Sequence, residues 1–287
     1  MAERHNLAIL SLISRDNGDH TDLIGLTSDG TPAGKVVLRD RPYSIAVSPD
    51  ANGLAWDNWS ARAKPDGGGS ALRVKVATSQ GALISLPFDP WFGGPLAVSS
   101  NGEHVVLVRG VIRPKPSFEL IIADGNTGRV EQDLTGLITK FSLPQVIRIA
   151  ISGSGDRLVV GSSEWFTVID PKSRNPVVYE APGRDVSLSP NGQFLAFVDE
   201  ENRAILVDLS TRSHRTLLER SRKVSGIGAW SPDGQYLLAG LEGWLSRRLV
   251  AIEAKTNQVI DMMTLGDVGG SKCVWVNKGF LSSALPL

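Results

Sequence analysis

Residues 229–240 read AWSPDGQYLLAG, and this phrase sets the pattern for the whole chain. An apolar run enters Ser-Pro-Asp-Gly, and a second apolar run leaves it. The proline presets φ for the second position of a tight turn, and the following glycine accepts a positive φ without steric cost. Because the flanking runs are short and rich in apolar residues, the phrase predicts two antiparallel strands joined by a tight turn.

The phrase recurs along the chain, either intact or with substitutions in the turn. The other copies are VSLSPNGQFLAFV at 186–198, IAVSPDANGLAW at 45–56, LAVSSNGEHVVLV at 96–108, IAISGSGDRLVVG at 149–161 and CVWVNKGFLSS at 273–283. Their marker serines are Ser48, Ser99, Ser152, Ser189 and Ser231, with Val276 in the sixth copy. Their spacing is close to the repeat length of propeller blades.

A second kind of turn alternates with the first and divides each repeat into four strands, A to D. The first turn joins A to B, and the second joins C to D. The second turns are TSDGTPAGK at 27–35, TSQGA at 78–82, DGNTGR at 124–129, DPKSRN at 170–175, DLSTRS at 208–213 and EAKTNQ at 253–258. We therefore expect an all-β, six-bladed β-propeller of four-stranded antiparallel blades, forming a single domain over residues 1–287.

The two ends of the chain are expected to complete one blade together. Residues 272–276 would supply its strand A, and residues 21–39 its strands C and D. Strand B has two candidates, residues 7–13 and residues 280–285. Pairing of the N- and C-terminal strands would close the ring.

Composition excludes several classes of function. The 30 basic and 30 acidic residues leave no net charge to attract nucleic acid or an anionic membrane. The single cysteine, Cys273, permits no intrachain disulfide. The apolar run 7–13 is too short for a membrane span and is expected to be a strand rather than a signal peptide. These features predict a cytoplasmic protein, monomeric unless it belongs to a larger assembly.

The phrases WSPDGQYLLAG, LSPNGQFLAFV and AVSPDANGLAW resemble the repeats of TolB-type and WD-like β-propellers, which also occur in the non-catalytic domain of prolyl oligopeptidases. The resemblance covers nearly the whole chain and implies the propeller fold. It implies no single function, because such propellers have many roles. The Trp-Asp and Gly-His signature of true WD repeats does not recur along the chain.

Variable loops are expected on the face that carries the B–C and D–A connections, and a binding site is expected there. Aromatic residues and arginines dominate interface hot spots. The aromatic candidates are Trp59, Trp91, Phe92, Phe118 and Trp244. The arginine candidates are Arg39, Arg41, Arg109, Arg113, Arg222, Arg247 and Arg248. They favour an acidic protein or peptide as partner, although the tryptophans could simply cap blade edges and the arginines be solvated.

The mouth of the central channel should be lined by residues that enter strand A. These are Arg41, Tyr43, Arg148, Asp185, Ser187 and Lys272. They could hold a small anion or the end of a peptide. They could equally be solvated, or pair with Asp57, Asp199 and Glu242 at the ends of strand B.

The sequence has no nucleophile elbow and no His-Glu-x-x-His motif, so no catalytic residue, metal or cofactor is expected. A non-enzymatic binding scaffold is the leading hypothesis. A channel-site hydrolase resembling the lactonase propellers is the alternative. A structural subunit of a larger complex, binding through a blade edge, is a third hypothesis.

Overall fold

The structure is a computed structural model, and it describes most of the strands and turns of the chain. The described residues are 7–13, 21–26, 32–38, 44–58, 73–78, 83–86, 96–111, 117–137, 146, 148–173, 176–218, 224–242, 247–265 and 273–277. No helix within these ranges is long and apolar enough to cross a membrane.

The described part of the chain is built from β-strands, as the sequence predicted. The first twelve are β1 (Leu7–Ile13), β2 (Thr21–Leu26), β3 (Pro32–Leu38), β4 (Ile45–Val47), β5 (Gly53–Asn58), β6 (Arg73–Thr78), β7 (Leu83–Leu86), β8 (Leu96–Val98), β9 (His104–Val111), β10 (Ser117–Asp124), β11 (Val130–Asp133) and β12 (Arg148–Ile151). The others are β13 (Leu158–Gly161), β14 (Trp165–Ile169), β15 (Val177–Pro182), β16 (Arg184–Leu188), β17 (Phe194–Val198), β18 (Ala204–Asp208), β19 (His214–Leu218), β20 (Val224–Trp230), β21 (Tyr236–Glu242), β22 (Arg247–Glu253), β23 (Val259–Leu265) and β24 (Cys273–Asn277). Short 3-10 turns cover Ser100–Gly102 and Thr135–Leu137.

These strands form four-stranded antiparallel sheets arranged around a common axis. Five sheets each use four consecutive strands, and we number them blade 1 (β4–β7), blade 2 (β8–β11), blade 3 (β12–β15), blade 4 (β16–β19) and blade 5 (β20–β23). A further sheet has the order β24-β1-β2-β3, and we call it the closing sheet. The first strand of each sheet is innermost, because β4, β8, β12, β16, β20 and β24 contact one another in that order and β24 contacts β4.

This topology corrects the expectation of six blades. The number of self-contained blades is five, not six, because only five repeats supply all four strands from one continuous segment. The closing sheet is a composite, in which β1 pairs with β24 and Ile9 lies opposite Trp275. Its strand B is therefore residues 7–13, as one of the two candidates predicted, while residues 280–285 lie outside the described ranges. Pairing of the terminal strands is confirmed.

The apolar core lies between neighbouring blades rather than within any one of them. Phe166 of blade 3 is fully buried, and its ring centroid lies 4.8 Å from that of Phe197 in blade 4. Trp230 of blade 5 stacks on Phe194 of blade 4 at 6.4 Å, and its indole N–H donates to the Ser187 carbonyl at 3.4 Å. Each blade therefore needs its neighbours to bury its faces, which explains why the repeats form a ring.

A buried serine opens each A–B turn in blades 1 to 5. In blade 4 the Ser189 hydroxyl accepts the backbone N–H of Phe194 at 2.8 Å and donates to Asn191 Oδ1 at 2.7 Å. The same N–H to hydroxyl bond recurs in the other blades at 2.7 to 3.0 Å. The five serines are at most 3% exposed; they are Ser48, Ser99, Ser152, Ser189 and Ser231. Their hydroxyls hold the turn and are not free for chemistry.

The fourth residue of each of these turns has a positive φ. It is glycine in four blades, with φ of 69° at Gly234. In blade 1 the residue is Ala51, with φ of 59°. Asn52 and Gly53, which adopt a positive φ more readily, come directly after it in the chain. Gly53 is instead needed for space, since a Cβ there would lie 3.1 Å from the Ser48 hydroxyl oxygen.

The substitution Gly234→Val should reduce the free energy of unfolding by about 2 kcal/mol, because a β-branched residue is strained at this φ. Gly234→Asn should cost less than half as much, since asparagine tolerates the left-handed conformation. Urea denaturation of both variants measures the difference. Equal stability of the two variants would contradict the backbone explanation.

The A–B and C–D turns of a blade are joined by a backbone hydrogen bond. In blade 2 the Gly125 N–H donates to the Glu103 carbonyl at 2.7 Å, and in blade 5 the Ala254 N–H donates to the Gln235 carbonyl at 2.8 Å. Blade 2 has the tighter approach, because a Cβ on Gly125 would lie 1.6 Å from the Gly102 carbonyl oxygen. A side chain at this position therefore requires the two turns to separate.

The substitution Gly125→Ala should reduce the free energy of unfolding by about 2 to 4 kcal/mol, because the clash involves backbone that cannot rotate away. Gly136→Ala is the matched control, since a Cβ at Gly136 meets nothing within 4 Å. Thermal unfolding of the two variants should show a lower midpoint for the first alone. A similar midpoint for both would refute the close approach.

Candidate functional site

Three charged side chains meet where the innermost strands of blades 3 and 4 begin. Asp185 of β16 accepts a hydrogen bond on Oδ1 from Arg148 Nη2 of β12 at 2.7 Å. Its other oxygen, Oδ2, accepts from Arg184 Nη1 at 2.6 Å. One carboxylate is therefore held between two guanidinium groups, at the end of the propeller that carries the B–C and D–A connections. We call these three residues the mouth cluster.

Arg184 extends the mouth cluster to a third blade. Its Nη2 donates to Asn202 Oδ1 in the B–C turn of blade 4 at 2.9 Å. It also lies 3.4 Å from the Val224 carbonyl, and Nη1 lies 3.4 Å from the Ser225 carbonyl, both at the start of β20. Blades 3, 4 and 5 are thus connected by polar contacts around a single carboxylate.

The backbone of Asp185 makes this arrangement possible. Successive residues of a regular strand point to opposite faces, which would separate Arg184 from Asp185. Asp185 instead has a φ of 53°, and the register between β16 and β17 shifts between Arg184 and Ser187. The resulting irregularity lets both neighbouring side chains reach the same place. A left-handed aspartate is uncommon, and strained residues of this kind cluster at functional sites.

The start of β20 passes close to the mouth cluster. A Cβ added at Gly226 would lie 3.3 Å from Asp185 Oδ2. The absence of a side chain at Gly226 therefore leaves room beside the carboxylate, where a larger residue would press on it.

The mouth cluster carries two positive charges and one negative charge, and it is partly open to solvent. The exposed side-chain fractions are 34% for Arg148, 35% for Arg184 and 19% for Asp185. Solvent screens such pairs strongly, so each adds well under about 1 kcal/mol to stability. The surplus cation and the accessible guanidinium groups suit this cluster to binding an anionic group.

For Arg148, the alternative of a pairing with Asp199 is wrong, because this arginine binds Asp185. Asp199 binds Arg203 within its own B–C turn, where Arg203 Nη2 and Asp199 Oδ2 lie 2.7 Å apart. The hydrogen bond from Arg203 to Asp199 raises the pKa of that guanidinium above its ordinary value. Arg148 and Arg184 pair with Asp185 instead. The side chains of Asp57 and Glu242 lie outside the described part of the structure.

Three of the other candidate residues lie in strands, next to the B–C connections. They are therefore on the face on which the sequence placed them. Arg109 is in β9 opposite Glu119, Phe118 is in β10 opposite Gly110, and Arg247 begins β22 opposite Glu242. Their side chains are not among those described. Arg248 follows in β22 and is exposed. Ser187 lies in β16 and is half-buried. The remaining candidates lie outside the described residues; they are Arg39, Arg41, Tyr43, Trp59, Trp91, Phe92, Arg113, Arg222, Trp244 and Lys272.

Sequence reasoning identified Arg148 and Asp185 but missed Arg184 and Asn202. Arg184 stands beside Asp185 at the entrance to strand A, so its position was a usable signal. The alternation of side chains along a regular strand, however, would place Arg184 on the opposite face from Asp185. The left-handed backbone of Asp185 that brings them together leaves no signal in the sequence. Asn202 also has a positive φ, of 61°, which its place in a tight B–C turn requires.

Searching the described side chains for metal ligands gives no group of three or more His, Cys, Asp or Glu residues. Asp185 is the acidic member of the mouth cluster, and both of its oxygens are engaged by arginine.

Several solved structures of other proteins share this architecture. TolB from Acinetobacter baumannii aligns with 94% of this chain at a TM-score of 0.64 and 16% identity. The fold is that of a TolB-like β-propeller. The chain spans 66% of that TolB chain, just under two thirds of its length. The resemblance of the repeats to TolB-type propellers is thus shown at the level of the fold. Their resemblance to WD-like propellers stays a prediction.

Two other solved structures share the propeller fold. A chain of a nidogen/laminin complex matches 94% of this chain and 97% of its own length, with a TM-score of 0.57 and 11% identity. The periplasmic gluconolactonase PpgL of Pseudomonas aeruginosa matches 94% and 99%, with a TM-score of 0.54 and 15% identity. At these identities the similarity is one of fold alone. No protein-family model matches the chain. No curated protein sequence matches it either.

Proposed function

We propose that this chain is a non-enzymatic binding platform, which uses its B–C and D–A loop face to bind an acidic segment of a protein or peptide. The mouth cluster is the observation that carries the proposal. Arg148 and Arg184 come from two blades and converge on one carboxylate within hydrogen-bonding distance. Guanidinium groups recognise carboxylates through charge-assisted hydrogen bonds of this kind.

The two ends of the blades differ in a way that supports the proposal. At the A–B end the turn serines are buried and their hydroxyls are engaged in hydrogen bonds to the turn. At the opposite end the mouth cluster is partly exposed, and the arginine Arg248 is exposed in blade 5. A uniform, internally satisfied end suits a structural role, and an irregular charged end suits recognition.

The substitution Arg148→Glu should abolish binding of acidic peptides, because it replaces a cation of the mouth cluster with an anion. We would first select ligands for the wild-type protein from a random dodecapeptide display library. The selected peptides should be enriched in Asp and Glu, and their affinity for the variant should fall by about tenfold or more. Isothermal titration calorimetry gives the affinities.

Lys255→Glu is the matched control for this charge reversal. Lys255 is exposed in the C–D turn of blade 5, at the opposite end of the strands. This variant should bind the selected peptides as the wild-type protein does. Selected peptides without acidic enrichment, or equal loss of binding in both variants, would contradict the proposal.

A lactonase-like activity is the second candidate, and the similarity of fold to the gluconolactonase PpgL favours it. The test is whether the purified protein hydrolyses a lactone, with and without added divalent cations. Turnover of any member of a panel of sugar and acyl lactones above the rate in buffer would establish it. In that case Arg148→Glu should reduce the turnover, since the mouth cluster occupies the axial end of the propeller.

A further inference from the structure

The geometry points to Asp185 as an internal substitute for the carboxylate of a ligand, so that the mouth cluster is a carboxylate-binding site already occupied by the chain itself. This inference rests on the proposed function and states how the site is controlled. Binding would exchange one carboxylate for another between the two arginines. The exchange forms and breaks hydrogen bonds only.

The position of Asp185 between the arginines matches that of a bound carboxylate. Oδ1 accepts from Arg148 and Oδ2 accepts from Arg184, at 2.7 and 2.6 Å. Both oxygens therefore accept short, charge-assisted hydrogen bonds. A ligand carboxylate that took this place would have the same two donors, which are held by different blades.

The side chain of Asp185 can leave the arginines without a change in the backbone. Its φ of 53° is a left-handed conformation that aspartate tolerates, whether or not its side chain is held by the arginines. The side chain is 19% exposed, so a route to solvent exists. A ligand therefore competes with a pair of partly exposed contacts.

One of the two arginines has a contact that does not depend on the carboxylate. Gly226 packs beside Asp185 Oδ2, and a Cβ there would lie 3.3 Å from that oxygen and press on it. Arg184 is held from its far side by Asn202 Oδ1 at 2.9 Å, so this arginine keeps an anchor when the carboxylate changes. Arg184 is thus held in place while the acceptor can be replaced.

Asp185→Asn and Asp185→Gly should each increase the affinity for a free carboxylate by about tenfold or more, because the internal competitor loses its charge. Asparagine and glycine both tolerate the left-handed backbone, so these variants are expected to fold. Asp199→Asn is the matched control, since Asp199 is a carboxylate of the same blade that binds Arg203 instead. The double variant Asp185→Asn with Arg148→Gln should lose the gain.

The probes are three short Gly-Ser peptides that carry an uncharged dye. The first has a free C-terminal carboxylate, the second is amidated and contains one glutamate, and the third is amidated without an acid. Fluorescence anisotropy at low ionic strength measures binding, because salt screens exposed charges. Preference for the first or the second probe tells whether a chain terminus or a side chain supplies the carboxylate. Equal binding of the third probe would overturn the inference.

Unchanged affinity in both Asp185 variants would also overturn the inference, while acidic peptides selected on the wild-type protein would still support the proposed function. A measurement on the wild-type protein covers the case in which the variants do not fold. Saturation with the preferred probe should shift the carboxyl carbon resonance of Asp185 in the NMR spectrum, since the group leaves its two arginines. An unchanged resonance at saturation would show that no exchange occurs.

Discussion

The hydroxyl group of the serine that opens each A–B turn is the contact on which the blade hairpins depend. It is buried, and in blades 1 to 5 it accepts the backbone N–H of the residue that leads into strand B. A buried N–H without a partner would cost about 1 to 3 kcal/mol. The bond therefore stabilises the turn that joins strands A and B in each of these blades.

Fixing the strands at one end leaves the other end free to vary. The innermost strands begin at that end, so residues entering β12, β16 and β20 are brought around one axis although they are far apart in the chain. In blade 4 the strand is irregular, and Asp185 adopts a left-handed conformation between Arg148 and Arg184. Aspartate tolerates this backbone conformation, and the two cations hold its side chain in place.

The same architecture occurs in proteins as different as TolB, a nidogen/laminin complex and a gluconolactonase, at 11 to 16% identity. What these folds share is the packing of four-stranded sheets around an axis, which demands a pattern of apolar residues rather than particular side chains. Specific chemistry is added at the strand ends. For this chain the distinguishing feature among the described residues is a carboxylate shared by two arginines.

The sequence by itself determined the hairpins, the four strands of each repeat, the pairing of the two chain ends and the presence of Arg148 and Asp185 at strand entrances. These follow from local turn chemistry and from the period of the apolar residues, which act over a few neighbouring positions. The number of blades predicted from the sequence was too high, because the closing sheet is assembled from strands at both ends of the chain. Only the tertiary structure decided that Asp185 binds Arg148 and Arg184 rather than leaving them to Asp199. That choice depends on a left-handed φ and on the approach of separate blades, and neither leaves a periodic signal in the sequence.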